Sequence, residues 1–112
     1  MSQFMLLLYD NPTDWTKVSP EEMQKALEKY SAWMHKPFTK DGKRLGADAG
    51  RVIRANGGQP RATDGPYSET KEVLGGFYLI EAANYDEAVA LAMDHPQLEY
   101  GGNLVIRQLW ES

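Results

Sequence analysis

The sequence predicts an α+β fold in which two helices cover one face of an antiparallel sheet, in the split βαβ, ferredoxin-like order. The long elements follow one another as strand, helix, two strands or a hairpin plus a strand, helix and strand. The apolar residues of each element repeat with the period of a helix or a strand. The chain of 112 residues also shows no internal repeat and no linker, so we expect a single domain over residues 1–112.

Composition excludes several classes of protein. Apolar residues make up 42% and charged residues 25% of the chain, as in an ordinary globular domain. The net charge of −4 disfavours direct binding to nucleic acid. With no cysteine and two histidines, we expect no disulfide, no metal site and no cofactor. The longest apolar run, residues 4–9, is too short for a signal peptide or a membrane span, which predicts a soluble cytoplasmic protein without a membrane partner.

The first strand and the first helix carry the clearest local signals. Residues 4–9 are all apolar and are bounded by Asp10-Asn11-Pro12, which predicts a strand covered on both faces. Ser19 is a favourable N-cap, and Glu22 completes a capping box. Pro37 is expected to kink or end this helix. Spacings of three and four residues predict one buried face, formed by Met23, Ala26, Leu27, Tyr30, Trp33 and Met34.

The middle of the chain gives weaker signals, and the structure of residues 37–58 stays open. Asp41-Gly42 has the composition of a signal that ends a helix. Residues 51–55 could form a short strand, with Asn56-Gly57-Gly58 as a turn and residues 59–63 as the partner strand.

The second half of the chain predicts a strand, a helix and a closing strand. Residues 73–82 include a run that is apolar on both faces. Asn84 is expected to cap the second helix, which His95-Pro96 closes, and residues 103–110 form the last strand. The predicted inner face of this helix consists of Tyr85, Ala88, Val89 and Ala92.

The predicted sheet has an apolar face that no helix covers. The first strand, the strand over 73–82 and the last strand each carry apolar residues on both faces, whereas both helices lie on one face. A large apolar face is unfavourable in water. The simplest cover is the same face of a second chain, which predicts a homodimer built by sheet-on-sheet packing.

One stretch of sequence resembles a known family. It contains Asp64-Gly65-Pro66-Tyr67, then Glu69-Thr70-Lys71-Glu72, then Gly75-Gly76-Phe77-Tyr78. This order resembles the signature of the YCII-related, or DGPF-type, family of small bacterial proteins, with Tyr67 where the family usually has phenylalanine. The resemblance implies one YCII-related domain over residues 1–112, with a ferredoxin-like fold in the dimeric α/β barrel superfamily. Two flanking segments also fit the family, Ser19-Pro20-Glu21-Glu22-Met23 and Tyr100-Gly101-Gly102.

The resemblance implies much less about chemistry. Relatives in the superfamily include lactone isomerases, monooxygenases and dechlorinating enzymes that act on small ring compounds, but a shared fold does not carry an activity. The main hypothesis is a small-molecule-binding protein that could act by acid–base chemistry, as an isomerase, lyase or hydrolase. Its pocket would lie between the sheet and the first helix. The alternatives are a non-catalytic regulatory module linked to transcription through a sigma factor, and a dimer without a ligand.

Four residues are candidate catalytic groups. Asp64 or Glu69 could accept a proton on the loop that precedes the buried strand. By position, Glu22 and His95 match a histidine and an aspartate found in the better-known branch of the family, so they could form a swapped carboxylate–imidazole pair. Structural alternatives stay open, because Asp64 suits a turn, Glu22 suits the capping box and His95 could be a cation at a helix end.

Five further residues are candidate ligand contacts. Lys71 could anchor an anion, and Tyr9, Tyr67 and Tyr78 could each line a pocket with a hydroxyl group. Arg107, on the closing strand, completes this set. Buried tyrosines more often make a structural hydrogen bond, which is the alternative for each of the three.

Overall fold

The fold is described from a computed structural model, over residues 1–11, 17–46, 48, 50–55, 57–64 and 72–111. Within these residues the chain forms six strands and three helices. The strands are β1 (Ser2–Asp10), β2 (Thr39–Arg44), β3 (Arg51–Arg54), β4 (Arg61–Asp64), β5 (Val73–Ala82) and β6 (Asn103–Gln108). The helices are α1 (Pro20–Met34), α2 (Tyr85–Ala92) and the single turn α3 (Pro96–Glu99).

Four of the strands form one antiparallel sheet in the order β2-β5-β1-β6. Because α1 links β1 to β2, and α2 with α3 links β5 to β6, the connections are two βαβ units joined through the β3–β4 hairpin. This arrangement confirms the predicted α+β, ferredoxin-like fold. Within the described residues, no helix combines the length and the apolar character needed to cross a membrane.

Both predicted helix caps are confirmed. The Ser19 hydroxyl oxygen accepts a hydrogen bond of 3.2 Å from the backbone N–H of Glu22 at the start of α1. The Asn84 side-chain oxygen accepts one of 2.9 Å from the backbone N–H of Glu87 at the start of α2. Each cap satisfies one of the N–H groups that the first helical turn leaves without a partner. As expected, α1 ends at Met34, three residues before Pro37.

The reading of Asp41-Gly42 as a stop signal is wrong, because both residues lie inside β2. This strand is an edge of the sheet and pairs only with β5, so its sequence (Thr39–Arg44) can be polar and lacks the apolar run of a central strand. The hairpin predicted beyond it is confirmed as β3 paired with β4, and Gly57 turns the chain between them with a φ of 70°.

The core lies between the sheet and the helices. Alternate residues of the two central strands point towards the helices and are buried, as a period of two requires. On α2, only Ala88 and Ala92 of the predicted inner face are buried, because Tyr85 and Val89 are each 44% exposed. The buried cluster consists of Phe4, Leu6, Leu8, Trp33, Tyr78, Ile80, Ala82, Ala88 and Ala92.

Among the described elements, no helix lies over the opposite face of the sheet. Register pairs Met5 with Leu79 and Leu7 with both Phe77 and Val105, so five apolar side chains form one patch, here called the open face. The molecule is correspondingly flat, with extents of 45 × 45 × 18 Å. Its radius of gyration is 16.0 Å, compared with about 13 Å for a compact domain of this length.

Candidate functional site

A cavity of about 410 Å³ lies between α1 and the half of the sheet formed by β2 and β5. This volume falls in the range of small-molecule sites. Gly42 of β2 and Gly76 of β5 form part of its floor, where the backbone faces the cavity without a side chain. A Cβ atom on Gly42 would lie 2.7 Å from the Met34 sulfur, and one on Gly76 would lie 2.8 Å from the Lys43 carbonyl oxygen. The two glycines therefore allow the close approaches that shape this floor.

The walls of the cavity are mainly apolar and come from one face of α1. Residues at spacings of three and four on this helix point down towards the sheet. The face predicted from the sequence is only partly buried, and Leu27, which lines the cavity, is 39% exposed. The apolar lining on the helix consists of Met23, Ala26, Leu27 and Met34.

A polar cluster lines part of the same cavity. The side chain of Gln97, which is 1% exposed, donates from Nε2 to the Asp10 carboxylate at 2.5 Å and to the Tyr9 carbonyl oxygen at 2.9 Å. Its Oε1 atom accepts a hydrogen bond of 2.6 Å from the Tyr30 hydroxyl. Asp10, Tyr30 and Gln97 all line the cavity, so three parts of the chain that are distant in sequence meet in one polar cluster.

A bulge in β5 makes room for the Asp10 carboxylate. Register passes from Leu8 opposite Gly76 to Tyr9 opposite Leu74, which leaves Gly75 as the extra residue. A Cβ atom on Gly75 would collide with Asp10 Oδ2. The glycine pair that the sequence places before the buried strand thus has two separate functions, a floor at Gly76 and space for a carboxylate at Gly75.

The surroundings of Tyr30 and Tyr78, the two tyrosines that line the cavity, keep both hydroxyls protonated. Burial raises the pKa of Tyr30 well above its usual range, the negative charge of Asp10 raises it further, and the positive charge of Arg44 opposes the shift. Burial raises the pKa of Tyr78 to about 12, and the Tyr78 hydroxyl donates to the Tyr30 carbonyl oxygen at 3.0 Å. At neutral pH both phenol hydroxyls therefore keep their protons, and they line the cavity together with the Asp10 side chain.

His95 lies in the core beside this cluster. It is 1% exposed, and its ring packs against those of Tyr30, Trp33 and Tyr78 at centroid distances of 5.6, 4.6 and 4.8 Å. Nδ1 accepts a hydrogen bond of 2.9 Å from the Gln97 backbone N–H, which assigns the proton of the neutral ring to Nε2. Among the described residues, Nε2 has no hydrogen-bond partner.

The alternative prediction for His95, a cation at a helix end, is wrong. Burial lowers the pKa of His95 to about 4, against the opposing effect of the Asp94 charge, so the ring is neutral at physiological pH. Instead of ending α2 as a cation, the residue is the N-cap of α3. It packs in the core and is absent from the cavity lining within the described residues.

The other predicted site residues are dispersed. Asp64 lies at the end of β4 with its side chain 96% exposed and 3.4 Å from Arg51. Glu22 is exposed in the first turn of α1, and Arg107 is exposed on β6, paired with Met5 and so on the open face. Of the predicted ligand contacts, Tyr78 lines the cavity, and Tyr9 contributes its carbonyl oxygen to Gln97. Tyr67, Glu69 and Lys71 lie outside the described residues.

Sequence reasoning missed the polar cluster itself. Asp10 had the pattern of a strand end, Tyr30 belonged to an apolar helix face, and Gln97 followed a Pro with no periodic signal. The one available signal was a tyrosine on a buried face, whose hydroxyl requires a partner. Within the described part of the chain, no three side chains of His, Asp or Glu are grouped so that they could hold a metal ion.

Comparison with protein-family models identifies the class of domain. The family model for the YCII-related domain matches residues 2–111. An uncharacterized protein of Rhizobium meliloti (strain 1021) is 35% identical over an alignment of 98 residues, and the match covers 81% of this chain and 77% of that protein. A solved 5-chloro-2-hydroxyhydroquinone dehydrochlorinase from Burkholderia phenoliruptrix, in complex with 2,5-dihydroxybenzoquinone, aligns over 97% of this chain and 93% of its own. That alignment has 18% sequence identity and a TM-score of 0.45.

Proposed function

The chain belongs to the YCII-related domain family, and we propose that it binds a small, ring-sized organic molecule in the cavity between α1 and the sheet. The observation that carries this proposal is the meeting of apolar walls with the cluster of Asp10, Tyr30 and Gln97 in one cavity. Sites for small molecules combine mostly apolar walls with a few placed polar groups. A carboxylate in an apolar recess favours a ligand with a hydroxyl or amine donor, because burying an unpaired charge is costly.

The same cluster supports acid–base chemistry of the isomerase, lyase or hydrolase type. Asp10 is the cavity group that can accept a proton from a bound molecule. The high pKa of Tyr30 makes its hydroxyl a group that holds its proton, so its role is to position the ligand and the Gln97 amide. This assignment moves the proposed proton acceptor from the loop residues Asp64 and Glu69 to the end of β1.

We also propose that the protein is a homodimer that pairs the open faces of two sheets. Five apolar side chains on this face, and a molecule only 18 Å thick, support a missing layer on that side. Stable interfaces bury about 1,200 Å² or more in total, so the proposed interface would extend across the strands of the sheet around these five side chains.

Ligand binding can be tested with simple ring compounds. Phenol, catechol and cyclohexanol at millimolar concentration should raise the melting temperature of the wild-type protein, because a ligand of the native state stabilises it by RT ln(1 + [L]/Kd). Leu27→Trp should fill the cavity and remove the shift, whereas Leu98→Trp, at a site of similar exposure outside the cavity lining, should retain it.

A second pair of variants tests which carboxylate is involved. Asp10→Asn should reduce the shift, and Asp64→Asn, at a side chain 96% exposed, should leave it unchanged. No shift with any of the three compounds, or a shift that persists in Leu27→Trp, would contradict binding in this cavity.

The regulatory alternative has no support from the family match or from the described residues. A cytoplasmic location stays a prediction from the sequence, and cell fractionation followed by immunoblotting checks it.

A further inference from the structure

The cavity contains a second charged group, Arg44, on the same side of the sheet as Asp10. Successive side chains of a strand point to opposite faces. A Cβ atom on Gly42 would touch the Met34 sulfur of α1, so the side-chain position of Gly42 faces the helix. Arg44 lies two residues further along β2 in unbroken register and faces the same way. Arg44 therefore lies on the cavity side, whereas the side-chain position of Lys43, opposite Phe77, faces the other side of the sheet.

Arg44 lies at the exposed mouth of the cavity, and Asp10 lies half-buried inside it. Among the described residues, neither side chain takes part in an ion pair. Both charges nevertheless act on one hydroxyl, since Asp10 raises and Arg44 lowers the pKa of Tyr30. The two groups therefore line one cavity and shift the pKa of the same hydroxyl in opposite directions.

We propose that the ligand is an aromatic hydroxy acid, held with its hydroxyl on Asp10 and its carboxylate on Arg44. This inference rests on the proposed function and names the class of ligand. An arginine guanidinium matches a carboxylate with two parallel hydrogen bonds, whereas Asp10 needs a donor such as a hydroxyl group. The ring would occupy the apolar space between α1 and the floor at Gly42 and Gly76. A ligand that carries both a hydroxyl and a carboxylate can pair with both Asp10 and Arg44. A neutral phenol or a simple acid can pair with only one of them.

A matched set of compounds tests each end of the ligand separately. Isothermal titration calorimetry would compare the hydroxy acids 4-hydroxybenzoate and 4-hydroxyphenylacetate with benzoate, which lacks the hydroxyl, and with phenol, which lacks the carboxylate. At least one hydroxy acid should bind about tenfold more tightly than both truncated compounds, the scale of one charged hydrogen bond.

Matched variants then assign each end to its residue. Arg44→Gln should weaken the best hydroxy acid about tenfold and leave phenol unchanged. Asp10→Asn should weaken both the hydroxy acid and phenol. Arg54→Gln, on the exposed β3 strand, is the control for loss of one positive charge and should change neither.

Specific outcomes would overturn the inference. Benzoate or phenol binding as tightly as the hydroxy acids would do so, and so would tighter binding of tyramine, which carries an ammonium group in place of the carboxylate. In these cases the proposed function survives where phenol binds the wild-type protein and Asp10→Asn weakens that binding. If none of the compounds, phenol included, binds the wild-type protein, both the inference and the proposed function fail. The comparison of compounds on the wild-type protein decides the question even if Asp10→Asn does not fold.

Discussion

The hydroxyl of Tyr30 donates a hydrogen bond of 2.6 Å to the side-chain oxygen of Gln97, 67 positions further along the chain. The nitrogen of the same amide donates to Asp10 and to the Tyr9 carbonyl oxygen, and the Gln97 backbone oxygen accepts from the Gly102 N–H at 3.0 Å. Because every polar atom of the amide has a partner, its orientation is fixed. Gln97 therefore joins α1, the end of β1 and the start of β6. It positions the Tyr30 hydroxyl and the Asp10 carboxylate in the cavity.

Replacing Gln97 should destabilise the fold. Gln97→Met keeps most of the volume but leaves the Tyr30 hydroxyl and the Tyr9 carbonyl oxygen without this partner. We expect the free energy of unfolding to fall by about 2–4 kcal/mol, since buried unsatisfied groups cost roughly 1–3 kcal/mol each. Urea denaturation measures the change, and Gln59→Met, at an exposed position, should cost little.

Gln97→Glu adds a test of the amide orientation. At pH 7 the new carboxylate would face the Asp10 carboxylate and repel it, whereas at pH 4 a protonated carboxyl could donate in place of the amide. The loss of stability relative to wild type should be larger at pH 7 than at pH 4. An equal loss at both pH values would mean that the amide nitrogen does not face Asp10.

Removing the cap of α1 should destabilise the protein modestly. Ser19→Ala removes the oxygen that accepts from the Glu22 N–H and should lower the free energy of unfolding by about 1 kcal/mol. Ser19→Asp restores an acceptor and is the control. Thermal and urea unfolding measure both variants, and a full loss in Ser19→Asp would contradict the capping role.

Glu22→Gln separates the capping role of Glu22 from the predicted pair with His95. Glutamine also completes a capping box, so stability should hold. Loss of phenol binding with unchanged stability would support the carboxylate–imidazole pair. If both properties hold, the pair is excluded, in agreement with an exposed Glu22 and a buried His95.

The pH dependence of stability should contain a contribution from His95. Its pKa is about 4 in the folded protein, lowered by burial from 6.5. Above pH 6.5 the ring is neutral in both states. As pH falls from 6.5 to 4, the unfolded state binds a proton that the folded state excludes, so stability falls by about 1.4 kcal/mol per unit, or about 3 kcal/mol in total.

The variant His95→Asn isolates this effect. Asparagine can accept the Gln97 N–H bond at the cap of α3 but does not titrate in this range. Carboxylates contribute equally to both proteins. The unfolding free energy of the wild type minus that of His95→Asn should therefore decrease as pH falls from 6.5 to 4. Parallel stability profiles for the two proteins would contradict a neutral, buried His95.

The parts of the fold that follow local rules were predictable from the sequence. Apolar periodicity and the residues Ser19 and Asn84 predicted α1, α2 and the central strands, because these signals lie within a few positions of one another. Strand β2 was missed because an edge strand can be polar, so Asp41 and Gly42 carry no apolar alternation.

The candidate site was less predictable for a related reason. Asp10, Tyr30 and Gln97 are distant in sequence and meet only through the register of β1 with β5 and the packing of α3. Residues that look chemically active, such as Asp64, can lie in exposed hairpins. Gly75 and Gly76 are visible in the sequence as a glycine pair, but their structural role depends on which atoms approach them in three dimensions.

The open face provides the last prediction. If two copies pair through it, Val105, which is 43% exposed and lies opposite Leu7, becomes buried in the interface. Val105→Lys should then place an uncompensated charge among apolar side chains and convert a dimer to a monomer at micromolar concentration. Val89→Lys on α2, at a site 44% exposed on the other side of the molecule, is the matched control and should remain dimeric. Light scattering coupled to gel filtration measures the mass of each protein. A monomeric wild type would contradict the dimer, and a dimer that persists in Val105→Lys would place the interface elsewhere. Because an exposed valine tolerates lysine in a monomer, loss of the dimer with retained folding points to the interface rather than to the stability of the chain.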